Sequence, residues 1–114
     1  DIPILSVDTD GQPDDVIPVM MKAGVNYLWP FEVAAGCDVN VVRAKYPTLA
    51  LGGGIDKRAL ARTTADIDRE LDRIMPAVRK GRYLPDLDHL IPDDVSWPNF
   101  CHFARGLKKR LGKE

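Results

Sequence analysis

Acidic side chains and one imidazole punctuate this chain where apolar stretches end. Asp8 and Asp10 follow Ile4-Leu5-Ser6-Val7, Glu32 follows the run from Val25 to Trp29, Asp56 follows Gly52-Gly53-Gly54, and Asp86, Asp88 and His89 follow Arg82 to Leu84. If those stretches are strands of one sheet, the polar groups stand on one rim, where carboxylates repel each other unless a cation or protons compensate. The chemistry open to such a rim is cation binding or proton transfer. Glu32 is its most exacting member, since a lone carboxylate behind Pro30-Phe31 needs a partner. The glycine triplet resembles a phosphate cradle but has neither the G-x-G-x-x-G spacing nor a following Lys-Ser or Lys-Thr, which favours close backbone packing at a strand end.

The elements that must position these groups follow from turn residues and periodicity. Asp8-Thr9-Asp10-Gly11-Gln12-Pro13 closes the first strand; Val16, Ile17, Met20 and Ala23 then share a helical face that stops at Gly24, with Pro18 in the first turn. Val25 to Trp29 predicts a second strand, and Asp38 caps a helix with Val39, Val42 and Tyr46 apolar. Thr48 to Leu51 predicts a third strand that the glycine triplet ends. A longer helix from about Thr64 to Gly81 carries the stripe Ile67, Leu71, Ile74 and Val78, and Pro76 should open one of its turns. Arg82 to Leu84 predicts the fourth strand, and Ser96 begins a last helix with Phe100, Phe103, Ala104, Leu107 and Leu111. Strands alternating with helices imply a parallel α/β sheet, because a parallel pair needs a crossover. Two architectures fit: the C-terminal (βα)4 part of a (β/α)8 TIM barrel, and a small doubly wound, flavodoxin-like sheet. In both, ligands meet the carboxyl ends of the strands.

The 114 residues are 45% apolar and 29% charged, with 16 Lys and Arg against 17 Asp and Glu, the composition of one soluble globular segment. A net charge of −1 lacks the basic footprint of nucleic-acid binding, and Lys108, Lys109, Arg110 and Lys113 read as a solvated last helical turn. No apolar run approaches the roughly 20 residues that span a bilayer, so no membrane partner and a cytoplasmic location are expected. Cys37 and Cys101 lie outside any C-x-x-C spacing and are expected to be free, packed thiols; Trp29 and Trp97 are expected in packing. The chain opens Asp1-Ile2-Pro3-Ile4 without Met and enters a strand at once, the pattern expected of a segment of a longer protein. Isolated βα units of this kind leave open sheet edges and an apolar inner face. A homo-oligomer or the remainder of a barrel is expected to cover them.

Asp8-x-Asp10-Gly11, Ala23-Gly24-Val25, Gly53-Gly54-Ile55-Asp56-Lys57-Arg58-Ala59-Leu60 and Tyr83-Leu84-Pro85-x-x-Asp88-His89-x-Ile91-Pro92-x-Asp94-Val95 occur in this order. In order and spacing they resemble the uroporphyrinogen decarboxylase superfamily, over essentially the whole chain but only the C-terminal third or so of such a protein. The resemblance implies a (β/α) barrel enzyme, of which residues 1–114 are the C-terminal half, and a small-molecule or tetrapyrrole-related substrate. It also implies one of two chemistries.

The decarboxylase branch removes carboxyl groups from acetate side chains without a cofactor. On that pattern His89 and Asp10 are the catalytic groups, His89 donating a proton or orienting a substrate carboxylate, and Gly11, Gly54 and Asp56 bind substrate. The methyltransferase branch moves methyl groups to or from a corrinoid protein or a thiol on a zinc ion, and its ligand pattern falls on Asp8, Asp10, Glu32 and His89. Hard carboxylates stand where the family has soft thiolates, so the metal expected is zinc with oxygen and nitrogen ligands, or manganese. Asp8 and Asp10, two apart, share a face of an extended strand. The family's Gly-Asn-x-Asp-Pro is Gly53-Gly54-Ile55-Asp56-Lys57 here, which removes a side-chain amide from the pocket. The essential Arg and Asp of the decarboxylase belong to its N-terminal half and fall on no residue of this chain. The alternative from another class is a catalytically incomplete fragment or a non-enzymatic α/β binding module.

Overall fold

The computed structural model describes residues 2–113 and arranges them as strand and helix units whose strands join the sheet in chain order. β1 (Ser6–Asp8), β2 (Tyr27–Phe31), β3 (Ala50–Ile55) and β4 (Tyr83–Leu87) lie side by side as β1-β2-β3-β4, and every neighbouring pair is parallel. Between them cross α1 (Ile17–Lys22), α2 (Val39–Lys45) and α3 (Thr64–Lys80), and α4 (Trp97–Arg110) follows β4. Where strand order does not reverse, crossovers of the usual hand put successive helices on the same side of the sheet. Accordingly Ile17, Val39, Val42, Ile67, Leu71, Ile74 and Phe103 from the helices meet Leu28, Phe31, Leu51 and Ile55 from the strands in one buried cluster.

Alternation along the strands sends the remaining side chains to the opposite face, which stays open. Trp29 is 40% and Leu84 64% exposed there, beside their register partners Asp8 and Gly52. Trp29 lies between strands on an uncovered surface and not in the core, and Trp97, 73% exposed, is not core either but stacks on Phe100. Cys37 is a buried free thiol and Cys101 a half-buried one, as expected.

Two helices start where the sequence places them, at Asp38 and Ser96, and the long one starts at a cap, Thr63, just ahead of its expected first residue. Asp38 accepts from Asn40 N at 2.9 Å, Thr63 and Asp66 form a reciprocal capping box, and Ser96 accepts from Asn99 N at 3.3 Å. α3 continues past Pro76 to Lys80 without ending.

β3 departs from its predicted bounds. The glycine triplet does not end the strand but carries it to Ile55, pairing Gly52 with Leu84, Gly53 with Pro85 and Gly54 with Asp86. A β-carbon at Gly52 would collide with the Tyr27 hydroxyl, and one at Gly54 with Val39 of α2, so side chains crowd this strand from both faces. β2 and β4 likewise run past their apolar stretches, to Phe31 and Leu87, alongside it. At the opposite pole Arg43 is 2% exposed, and its guanidinium donates to the carbonyls of Leu49, of Gly81 at 3.2 Å and of Pro47 at 3.4 Å. Among the described residues no helix is long and apolar enough to cross a membrane.

Candidate functional site

At the carboxyl ends of the strands the open face deepens into a cleft of about 1000 Å³. Tyr27, Trp29, Gly53 and Leu84 line it from the sheet; Leu90, Ile91 and Phe100 line it from beyond β4; its polar groups are Asp8, Asp10, Asp86 and His89. An apolar cleft with a few polar groups at strand ends is the usual form of a small-molecule site. Tyr27 adds a hydrogen-bond donor, because burial, and then the charge of Asp86, raise its phenol above the ordinary value and keep the proton on it.

Of the four residues expected to share a metal, Asp8, Asp10 and His89 line this cleft and Glu32 does not. β1 and β4 are the two edges of the sheet, so the aspartates and the histidine stand three strand spacings apart, roughly 14 Å along the sheet. Glu32 instead accepts from Gly11 N at 3.4 Å and lies 3.8 Å from Lys57 Nζ. Among the described residues no three His, Cys, Asp or Glu side chains come close enough to hold a metal ion. The set Asp8, Asp10, Glu32 and His89 does not fit one zinc or manganese ion, because an ammonium group already compensates Glu32 and the others are spread across the sheet.

The substrate-binding set divides as well. Gly11 stands in the loop after β1, and its carbonyl accepts from the Cys37 thiol at 3.4 Å; that thiol is pushed up chiefly by burial, so Cys37 packs as a neutral group. Gly54 is buried against Val39 with its carbonyl accepting from Arg73 at 2.7 Å, and it is Gly53 that reaches the cleft. Asp56 turns away: it accepts from Arg58 N at 3.0 Å as a cap and pairs with the Arg58 guanidinium at 2.8 Å. Burial opposes ionisation of Asp56, yet those bonds and the Arg58 charge hold its carboxyl below the usual range. Gly54 and Asp56 thus shape the rim from behind and do not face a ligand in the cleft.

Two residues of the rim were not assigned a role from the sequence. Asp88 is fully buried; its carboxylate accepts from Val33 N at 2.8 Å and Lys57 N at 3.1 Å, and its own N–H donates to Ile55 O at 2.9 Å. Lys57 Nζ lies 3.9 Å from the Asp88 carboxylate and 3.8 Å from Glu32. Gly11, Glu32, Lys57 and Asp88 thereby join the segments that follow β1, β2, β3 and β4 into one polar network. The signal that could have found it was the need of Glu32 for a partner, met by a lysine directly after Asp56. No protein-family model matches the chain, and no curated protein matches it.

Proposed function

We propose that this chain is the C-terminal (βα)4 half of a uroporphyrinogen decarboxylase-like (β/α) barrel that acts by proton transfer at the carboxyl ends of its strands, on a small-molecule or tetrapyrrole-related substrate. The observation that carries this is the unreversed order β1-β2-β3-β4 with helices packed on one face and the other face open. A doubly wound sheet reverses its order and is covered on both faces, whereas half a barrel does neither. The remainder of the barrel, or a second copy of the chain, is the cover this reading calls for.

Between the two chemistries of the resembled family, the engagement of Glu32 by Lys57 and Gly11 favours the cofactor-free one. In that chemistry the bond between a substrate carbon and its carboxyl group breaks, carbon dioxide leaves, and the electron pair stays on the carbon. His89 supplies the proton that captures it and is reprotonated from water; Asp10, on the opposite wall, accepts hydrogen bonds from the substrate. The test is incubation of the protein with an acetate-substituted pyrrole in deuterium oxide, read by mass spectrometry. The expected product has lost carbon dioxide and gained one deuterium at that carbon, and His89→Ala abolishes it. Turnover that survives His89→Ala, or methyl transfer without loss of carbon dioxide, overturns the proposal.

A further inference from the structure

Resting on the reading of His89 as the proton donor, we infer that Asp88, together with Lys57, is the positioning residue that sets the direction of His89. Among the described residues the His89 ring makes no hydrogen bond; His89 is exposed and, with Leu90, itself 81% exposed, lines the cleft just after β4. Nothing at the ring itself therefore fixes where it points. The last anchored residue before it is Asp88, and that anchor is threefold: a backbone bond to Ile55 of β3 and carboxylate bonds to the N–H groups of Val33 and Lys57.

A carboxylate with no exposed surface is costly unless its oxygens are bonded and its charge is compensated. Here both oxygens accept a backbone N–H, from two different loops, and the Lys57 ammonium stands 3.9 Å from Oδ1. An apolar side chain would fill the same space but could not bind two loops at once. The same ammonium reaches Glu32, which holds Gly11 beside Asp10, so the two walls of the cleft are registered against each other through Lys57. The loops that carry His89 and Asp10 are in this way tied to one another through Lys57.

The experiment is NMR of the uniformly labelled protein, comparing the wild type with Asp88→Asn, Asp88→Ala and Lys57→Met. The His89 ring resonances are followed together with amide hydrogen exchange at Val33 and Lys57. The expected result is exchange at both amides at least about tenfold faster in Asp88→Ala, as fits loss of a hydrogen bond to a charged group. The His89 ring signals shift and broaden in the same variant, with a smaller change in Asp88→Asn, which keeps one acceptor oxygen. Faster exchange at Val33 and Lys57 with an unchanged His89 ring overturns the inference and leaves Asp88 a purely structural bond. Should Asp88→Ala not fold, Asp88→Asn and Lys57→Met give the same discrimination. These readouts need no turnover, so loss of the proposed reaction in the wild type and failure of the positioning role are seen separately.

Discussion

The side-chain oxygen of Asn40 accepts the backbone N–H of Ala77 at 3.0 Å, across the gap between α2 and α3. The amide nitrogen of the same residue donates to the Arg73 carbonyl at 2.8 Å. In an uninterrupted helix the Ala77 N–H would donate to that carbonyl directly; here an amide from a neighbouring helix is inserted at the turn that holds Pro76. Asn40→Ala leaves a donor and an acceptor without partners in a half-buried position, and a loss of about 2 to 3 kcal/mol is expected. Urea denaturation reads it directly; a midpoint equal to that of the wild type would show that water replaces the amide at no cost.

Substitutions at two glycines separate backbone strain from collision. Gly11 and Gly54 both have positive φ, at +71° and +80°, but a β-carbon at Gly11 meets nothing within 4 Å whereas one at Gly54 meets Val39. Gly11→Ala should cost about 1 kcal/mol, the ordinary penalty for a left-handed backbone. Gly54→Ala should cost more than about 3 kcal/mol, since strain and overpacking add. Val39→Ala loses buried methyl groups of its own but relieves the collision, so the double variant with Gly54→Ala should lose less than the sum of the two single losses if the packing is as described. Equal losses for the two single variants in thermal melts would contradict it.

Stability should fall at both ends of the pH scale, for opposite reasons. Asp56 is held low by Arg58 against the effect of its burial, Asp66 by the hydroxyl and N–H of Thr63, and Asp72 by the Arg110 guanidinium. Between the folded and unfolded values the unfolded chain binds more protons, so this contribution is complete above the ordinary carboxylate pKa of about 4 and is lost as pH falls through the folded values. Tyr83 works the other way: burial raises its phenol above the ordinary 10.0, and its hydroxyl donates to Gly53 O at 2.7 Å. Its contribution is complete below pH 10 and is lost as the unfolded chain begins to ionise above it. Tyr83→Phe should flatten the alkaline limb of a melting-temperature profile while costing about 1 kcal/mol at neutral pH.

The open face makes a statement about assembly. Both outer edges of the sheet, on β1 and β4, lack a strand partner among the described residues, and Trp29 and Leu84 are exposed between them. Light scattering on the isolated chain should return a mass above that of one copy, and Leu84→Arg should return it to one copy without loss of helical signal. A monodisperse wild-type monomer would remove the support for the half-barrel reading.

Much of the frame is legible in the sequence because local signals and tertiary packing agree. Asp38 and Ser96 cap the helices that their positions announce, and Ile67, Leu71 and Ile74 bury as one stripe. The glycine triplet misleads, since what holds it in a strand is pairing with β4 and crowding from Tyr27 and Val39, neither visible from composition. At the candidate site, Asp8, Asp10 and His89 line one cleft, on the rim to which their strand-end positions point. Glu32 is not, because the direction of its side chain is decided by Lys57 and Gly11, contacts between loops that no local spacing encodes. Asp88 escapes for the same reason: its partners Val33 and Lys57 are 55 and 31 residues away.

Arg43 binds carbonyls that belong to three separate stretches of chain: Pro47 just beyond its own helix, Leu49 at the start of β3, and Gly81 ahead of β4. Among the described residues no carboxylate pairs with that cation, so its place in the interior rests on these carbonyls accepting from it. The guanidinium therefore ties the start of β3 to the turn ahead of β4 at the pole opposite the cleft, so that the two strands that meet there also carry Gly53 and Leu84 into the cleft wall.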